Sequence, residues 1–417
     1  MRSKSEGIKR NMRNYPVYTV TPKAERSLRN GHPWVFGDEV VQMAPGEAPD
    51  GSLVDVRSAK GAYLGTGFVN RKSKIRVRVI STNANDKFDE PFWRRRIRYA
   101  LAYRKTVMGS DFGACRLIFG ESDQFPGFVV DKFGDVLSVQ VMCLGIDMIK
   151  MQLFRILVEE LSELGENIRA IYERGDVATR GLEGLEQTKG FVELPGLSTD
   201  LSGHVEIEEN GISFDVDYID GQKTGYFLDQ KYNRRAVMNL ARGRRVLDCF
   251  THTGAFALHA AKGGAAHVTA VDVSAYALER ARDNATRNGL NDVEFVCADV
   301  FELLTDRDER GDRSDDFIIL DPPAFTKSHA TARAAYRGYK EINLKAMRLL
   351  PRGGYLATCS CSHFMKDDMF RQMLVEASHD ANVSLRQIEA RQQSPDHPIL
   401  LDVPETNYLK FYLFQVV

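Results

Sequence analysis

The alternation of strand-like and helix-like runs from about residue 230 onward most constrains the fold. RRVLDCF (244–250), VTAVDV (268–273), VEFVCAD (293–299), DFIILDPP (316–323) and GGYLATCSCS (353–362) are short, apolar and β-branched. Between them lie GAFALHAAKG, SAYALERARDNATRNG, FELL, ARAAYRGYKEINLKAMRLL and DDMFRQMLVEASHD, which read as helices. Strands alternating with helices demand a doubly wound α/β sheet. Such sheets bind ligands at the carboxyl ends of their strands, so chemistry is sought there.

Asp248 closes the first strand and leads into Cys249-Phe250-Thr251-His252-Thr253-Gly254. Glycine at 254 is expected to let a ligand approach the backbone. Asp272 closes the second strand, where an acid accepts hydrogen bonds from ribose hydroxyls. Asp299 closes the third, in place for an adenine amine. Neither G-x-G-x-x-G nor G-x-x-x-x-G-K-[ST] occurs, so no dinucleotide fingerprint or Walker loop is supported. A nucleoside without a phosphate fits S-adenosylmethionine. The candidate cofactor-binding residues are Asp248, Phe250, Thr253, Gly254, Asp272, Val273 and Asp299, with Tyr226 from the segment ahead of the first strand.

The fourth strand ends in Asp321-Pro322-Pro323-Ala324-Phe325. Asp321 can face a substrate base. Amino-group methyltransferases place an aromatic directly after the prolines; Ala324 stands there, which argues against an exocyclic amine as acceptor. The fifth strand ends in Cys359-Ser360-Cys361-Ser362. Carbon 5 of a pyrimidine is too poor a nucleophile to take a sulfonium methyl unaided. A thiolate added at carbon 6 makes carbon 5 carbanionic, so a cysteine here suits covalent catalysis. Buried cysteine packing is the bland alternative. Cys359 and Cys361 point the same way along a strand, and Cys361 lies nearer the pocket. Cys361 and Asp321 are the candidate catalytic residues. Cys249 is expected to pack beneath the first loop, and Cys115, Cys143 and Cys297 to be structural.

At about 150 residues per domain, 417 residues imply two or three domains. Residues 15–84 read as a small β-barrel of short runs such as YPVYTV, SLVDVRS, AYLGTGFVN and KIRVRVIS, punctuated at Gly31, Pro33, Gly37, Pro45-Gly46 and Gly51. Residues 85–205 read as a mixed α/β domain, with a helix from Glu90 to about Met108, strands at CRLIFG, GFVVDKFG, VLSVQVM and IRAIYE, a helix near 146–164, and a loop at GLEGLEQTKG. Residues 206–417 form the catalytic domain, entered through a hairpin at Asn210-Gly211.

The net charge of -1 hides an asymmetry: residues 1–105 carry 22 Lys+Arg against 10 Asp+Glu, and 71–105 alone carry 12 against 3. Arg71, Lys72, Lys74, Arg76, Arg78, Arg94, Arg95 and Arg96, interleaved with Phe92, Trp93, Tyr99 and Tyr103, suit phosphate contacts and base stacking. A solvated charged face is the bland alternative. The basic start, MRSKSEGIKRNMRN, precedes no apolar run, so no secretory signal is read. No membrane-length apolar run occurs. Six scattered cysteines fit a reducing cytoplasm, and no metal-ligand spacing is present.

With these residues assembled, the chain resembles the bacterial 23S ribosomal RNA 5-methylcytidine methyltransferases of the RlmI type from about Tyr15 to Val417. HPWVF (32–36) is similar to that family's RNA-binding PUA domain, and DKFGD (131–135) to its central domain. QKTGYFLDQ (222–230) is similar to its entry into the catalytic domain. LDCFTHTGAF, AVDVS, LDPPAF and SCS resemble its methyltransferase motifs, and DHP (396–398) and PETNYLK (404–410) its ending. The resemblance implies a PUA-like barrel, a central α/β domain and a Rossmann-like methyltransferase domain. It implies S-adenosylmethionine as cofactor, a single catalytic cysteine mapping to Cys361, and 23S rRNA or a large-subunit assembly intermediate as partner. Ala324 departs from the Lys common at that position and from the second Cys of a related branch. Asp321 and water remain open as the base that removes the carbon 5 proton. PUA-type domains also mediate dimer contacts, so a homodimer stays open. Two other readings are a guanosine-N7 rRNA methyltransferase, which would lack the strand-five cysteine, and a non-catalytic ribosome-assembly factor.

Overall fold

Local sequence sets the element boundaries in the computed structural model, which describes residues 14–43, 48–326 and 331–417. The basic N-terminal run and the Pro45-Gly46 turn lie outside those residues. The N-terminal unit comprises β1 (Val17–Val20), α1 (Pro22–Arg29), β2 (Trp34–Phe36), β3 (Val40–Met43), β4 (Leu53–Ser58), β5 (Tyr63–Val69) and β6 (Ile75–Ser81). Thr21 starts α1 by accepting from the Ala24 N–H, and Pro22 sits where a missing N–H costs nothing. The strands form one sheet in the order β2-β6-β5-β4-β1-β3.

The central unit begins with α2 (Glu90–Met108), capped by Asp89. It continues with β7 (Ala114–Phe119), β8 (Phe128–Phe133), β9 (Val136–Val141), α3 (Leu144–Asp147), α4 (Lys150–Glu163), β10 (Ala170–Gly175), α5 (Thr179–Leu182) and β11 (Thr188–Phe191). Its sheet runs β11-β10-β9-β8-β7. The stretch expected as a loop therefore holds a helical turn and an edge strand. β11 pairs with β10 at Gly175↔Thr188, a long-range partner that local composition does not announce.

The hairpin β12 (His204–Glu209) and β13 (Ile212–Asp217) turns at Asn210-Gly211, both at positive φ. Then follow α6 (Lys231–Leu240), β14 (Arg245–Cys249), α7 (Ala255–Lys262), β15 (His267–Asp272), α8 (Ala275–Arg287), β16 (Val293–Cys297) and α9 (Val300–Arg310). The chain ends with β17 (Phe317–Leu320), α10 (Ala332–Leu349), β18 (Tyr355–Ser360), α11 (Asp367–Asp380), β19 (Leu385–Arg391) and β20 (Lys410–Val416). The sheet order is β16-β15-β14-β17-β18-β20-β19. β14 pairs in parallel with both β15 and β17, so the winding reverses between β14 and β17. A crevice opens at such a reversal, above the carboxyl ends. β20 is antiparallel to both neighbours. Leu247, Ile318, Ile319 and Leu356 are fully buried, as strands covered on both faces require.

Between β19 and β20, segment 392–409 returns across the central unit. Asp396 accepts from the Arg116 N–H through its side chain and from Arg104 through its carbonyl. The Glu405 carboxylate meets His32 of the N-terminal unit at 3.2 Å.

Candidate active site

Register brings the sequence-predicted acids and cysteines to one end of the sheet. Cys249 lies beside Leu320, and Leu320 beside Thr358. Asp248 thus ends β14, Asp321 follows β17, and Cys359 and Cys361 end β18, on three adjacent strands.

The loop after β14 is held in an unusual shape. Phe250 and His252 have φ of 66° and 52°, and Gly254 has 83°. Left-handed backbone is costly for non-glycine residues and clusters where a loop is shaped for a ligand. Asp248 organises the loop: its Oδ2 accepts from the Thr251 hydroxyl at 2.6 Å and the Ala257 N–H at 2.9 Å. Its Oδ1 is buried without a partner. Burial pushes the Asp248 carboxyl up to about 7, with the nearby Asp321 charge adding to the rise. Asp272 ties the loop to β15, accepting from the His252 and Ser274 N–H groups at 2.9 Å each. Each of its oxygens keeps a second lone pair for a hydroxyl. Val273 beside it is 72 % exposed, an apolar side chain open to a flat ring. Thr253 is half-buried, its carbonyl accepting from Asn284. Phe250 packs edge-on to Phe325.

One expected role is extended and two are corrected. A Cβ on Gly254 would lie 3.0 Å from the Ala281 side chain. The missing side chain therefore allows α7 and α8 to pack and the positive φ to form, a packing duty beyond the one expected. Tyr226 is buried in the core with its hydroxyl donating to Glu209 at 3.3 Å, so it does not line the crevice. Asp299 caps α9, with Oδ1 accepting from the Phe301 and Glu302 N–H groups. That oxygen is engaged before any amine arrives.

The cofactor fits the residues that remain. An unpartnered buried oxygen on Asp248, a left-handed loop, an exposed Val273 and an acid with free lone pairs suit a cationic sulfonium carrying a nucleoside.

Asp321 accepts from Gln230 Nε2 at 3.0 Å through Oδ1, and the neighbouring Cys359 thiol favours its charged form. Burial, reinforced by the Asp229 charge, pushes Asp321 up to about 6. Gln230 is itself fixed by Asn233, whose Nδ2 donates to Gln230 Oε1 at 2.6 Å. Cys359 is fully buried, and burial drives its thiol well above the ordinary range. Cys361, one step beyond the strand, is half-buried. Burial pushes its thiol up to about 11, while Lys223 and Lys410 pull it down and Asp321 and Asp229 push it up. Cys249 packs among Leu247, Val271 and Leu320, as expected.

The segment QKTGYFLDQ therefore supplies Lys223, Asp229 and Gln230 to the site, none of them singled out by strand-end reasoning. DKFGD anchors it: Asp131 accepts from Thr224 Oγ1 at 2.6 Å while Arg116 grips the same carboxylate. Lys223 has a φ of 54°. The sequence signals were its similarity to the family's entry into the catalytic domain and a polar stretch between β13 and α6.

The basic segment differs from expectation. Arg94 donates to Glu90, Glu159 and Glu160 at 2.6–2.9 Å. Arg95 reaches Asp86 at 3.4 Å, and Arg96 donates to the Gln124 and Ile80 carbonyls. Phe92 and Trp93 are 2 % exposed, so they are core residues and do not stack on bases. Arg78 is held between Glu121 and Glu183 and over the Trp34 ring. Arg78 is thus turned inward, while Arg76 is half-buried. Arg71 pairs with Asp50. Lys72 and Lys74 are exposed. Among the described residues no helix is long and apolar enough to cross a membrane.

Comparison with known proteins agrees with this geometry. The S-adenosylmethionine-dependent methyltransferase family matches residues 194–415, and a PUA-like domain family matches 19–82. The chain is 41% identical over 396 residues to the ribosomal RNA large subunit methyltransferase I of Shewanella denitrificans, covering 94% of this chain and 97% of that protein. It is 39% identical over 398 residues to the protein of the same name from an Escherichia coli strain, with the same coverage. A methyltransferase structure from Streptococcus mutans superposes with a TM-score of 0.80 at 23% identity, covering 96% of this chain and all of that one. A methyltransferase complexed with S-adenosylhomocysteine gives a TM-score of 0.81 at 22% identity, covering 96% of this chain and 100% of that one. These two structures share the fold.

Proposed function

The chain belongs to the ribosomal RNA large subunit methyltransferase I family, and from that premise we propose that it methylates carbon 5 of a cytidine in 23S rRNA through a covalent Cys361 adduct. The observation that supports this reading is a thiol at the end of β18 beside the Asp321 carboxylate at the end of β17. S-adenosylmethionine, held by Asp248, Phe250, Thr253, Asp272 and Val273, supplies an electrophilic methyl group when bound.

The target base leaves its stack to reach the crevice, since its carbon 5 is otherwise inaccessible. Asp321 holds the base edge. Gln230 fixes Asp321 Oδ1, which leaves Oδ2 to meet the ring. A carboxyl raised to about 6 sits near neutrality, where it can lend a proton to the ring nitrogen as the sulfur adds. Cys361 adds to carbon 6 and leaves when the carbon 5 proton is removed. Cys359 keeps Asp321 in place and does not attack.

We assign RNA docking to residues 15–84 and 85–205 and catalysis to 206–417. The exposed Lys72 and Lys74, with Arg71, make phosphate contacts; Arg78 and Arg96 hold the N-terminal and central units together, and Arg94 ties α2 to α4 within the central unit. The protein works in the cytoplasm, where its thiols stay reduced.

The deciding experiment incubates the protein with labelled S-adenosylmethionine and rRNA from a strain lacking it. The RNA is then digested to nucleosides, which are identified by mass spectrometry. Labelled 5-methylcytidine is expected. Labelled 7-methylguanosine would overturn the reading and leave Cys361 a packing residue. Cofactor binding with no labelled nucleoside on naked or subunit-bound rRNA would favour an assembly factor.

A further inference from the structure

Lys410 is a buried charge that the proposed chemistry has not used. It opens β20 and pairs with Ser360 in the antiparallel register. Its side chain then crosses the end of β18, where Nζ donates to the Ser362 carbonyl at 2.7 Å and to the Tyr408 carbonyl at 2.8 Å. The Lys410 backbone meets the residue before Cys361, and its ammonium meets the residue after it. Lys410 therefore straddles the cysteine. It is only 6% exposed.

Two neutral carbonyls do not compensate a buried ammonium. A neutral amide would brace the same turn without the desolvation cost of a charge. A retained charge points to an anion that forms beside it. The groups facing Cys361 are Lys223 from the strap before α6, Asp229 ahead of α6, Asp321 after β17, Cys359 at the end of β18, Tyr339 on α10 and Lys410 from β20. Those facing Lys410 are Cys361, His363 just after β18 and Asp367 at the start of α11. Asp367 already accepts from the Tyr412 hydroxyl at 2.6 Å.

We infer that Lys410 is a positioning residue for Cys361: it pins the Ser360–Ser362 turn and, near neutral pH, holds a positive charge beside the sulfur, favouring thiolate over thiol. The inference rests on the reading of Cys361 as the nucleophile. Burial brings Lys410 down to about 8, with Cys361 opposing the fall.

The test is the pH dependence of iodoacetamide alkylation of the full-length protein, with Cys361 and the exposed Cys297 followed separately by peptide mass spectrometry. Lys410→Gln keeps donors for the two carbonyls and removes the charge. It should slow Cys361 alkylation about ten-fold near neutral pH, where Lys410 carries its charge. Lys410→Arg keeps its charge at alkaline pH, where lysine loses it, and should lower the midpoint below wild type. Cys297 should follow the wild-type profile in both variants. A purely structural lysine would not slow neutral-pH alkylation when its charge is removed and also lower the midpoint when that charge is kept. If Lys410→Gln unfolds, seen as rapid alkylation of buried Cys249, the Arg variant decides alone. A Cys361 midpoint unchanged or raised in Lys410→Arg overturns the proposal, as does an unchanged neutral-pH alkylation rate in a folded Lys410→Gln. Alkylation needs no turnover, so the two readings fail separately. Methyl transfer surviving in Cys361→Ala would sink the nucleophile, and unshifted alkylation would sink only Lys410.

Discussion

Helix α2 and the carboxyl ends of β14, β17 and β18 are both dense in ionisable groups, yet α2 closes its charges on one another while the strand ends leave theirs open. On α2, Arg94 is surrounded by three carboxylates, and Arg104 makes two bonds to Asp123. At the strand ends, Asp248 keeps a buried oxygen without a partner, and burial raises Asp321 and Cys361. Stability comes from closing polar groups, and reactivity from leaving a few of them strained. Charge density in a sequence therefore locates neither until the partners are known.

The contrast breaks most visibly at Cys361. Cys361→Ala should lower methyl transfer by about a thousand-fold or more while S-adenosylmethionine binding, followed by calorimetry, stays near wild type. Turnover at a normal rate would remove the strand end from the chemistry. On the closed side, Arg104→Met leaves Asp123 facing an apolar wall. Chemical denaturation should show a loss of about 3–5 kcal/mol, and a loss below 1 kcal/mol would mean that the α2 network is not closed in the sense argued here.

The pH dependence of stability sharpens the comparison. An acid whose folded value is raised keeps its proton in the native state while the unfolded chain has lost it, so stability falls as pH rises through the interval between the two values. For Asp248 that interval runs from 3.8 to about 7. Asp248→Asn should remove a slope on the order of 2–4 kcal/mol across it, read from urea unfolding at several pH values. Asp396 behaves oppositely. It is held down to about 2 by His397 and Ser394 against its burial, so its contribution is present above 3.8 and is lost as pH falls toward 2. The smallest effect concerns RNA. Lys74→Ala should reduce the slope of log binding constant against log salt by about one, and Arg94→Ala should leave it unchanged. Equal slope changes would mean that the α2 arginines exchange their carboxylates for phosphates.

Much of the catalytic half was legible because its signals are local. The observed α2 spans Glu90–Met108, as its apolar spacing and Asp89 cap require, and the five strand-helix alternations fall where the apolar runs lie. The insertion of β20 between β18 and β19 was not legible, because strand order depends on contacts that span about fifty residues of chain. Arg94 was misread for the same reason: Glu159 and Glu160 lie 65 and 66 residues away. Gly254 was read only in part because a glycine shows its backbone freedom and not which neighbour needs the space. The strap carrying Lys223 and Gln230 lacks the periodicity of a strand or helix, so the family resemblance marked the segment while strand-end reasoning passed over its individual residues.

The antiparallel placement of β20 has a consequence during synthesis. Chains emerge and fold from the N-terminus, so Cys361 is made well before the strand that carries Lys410. Until β20 slots in, the sulfur belongs to an unfinished edge and lacks the Lys410 ammonium. A nascent or nicked polypeptide therefore lacks the proposed activation until the sheet has closed around the thiol.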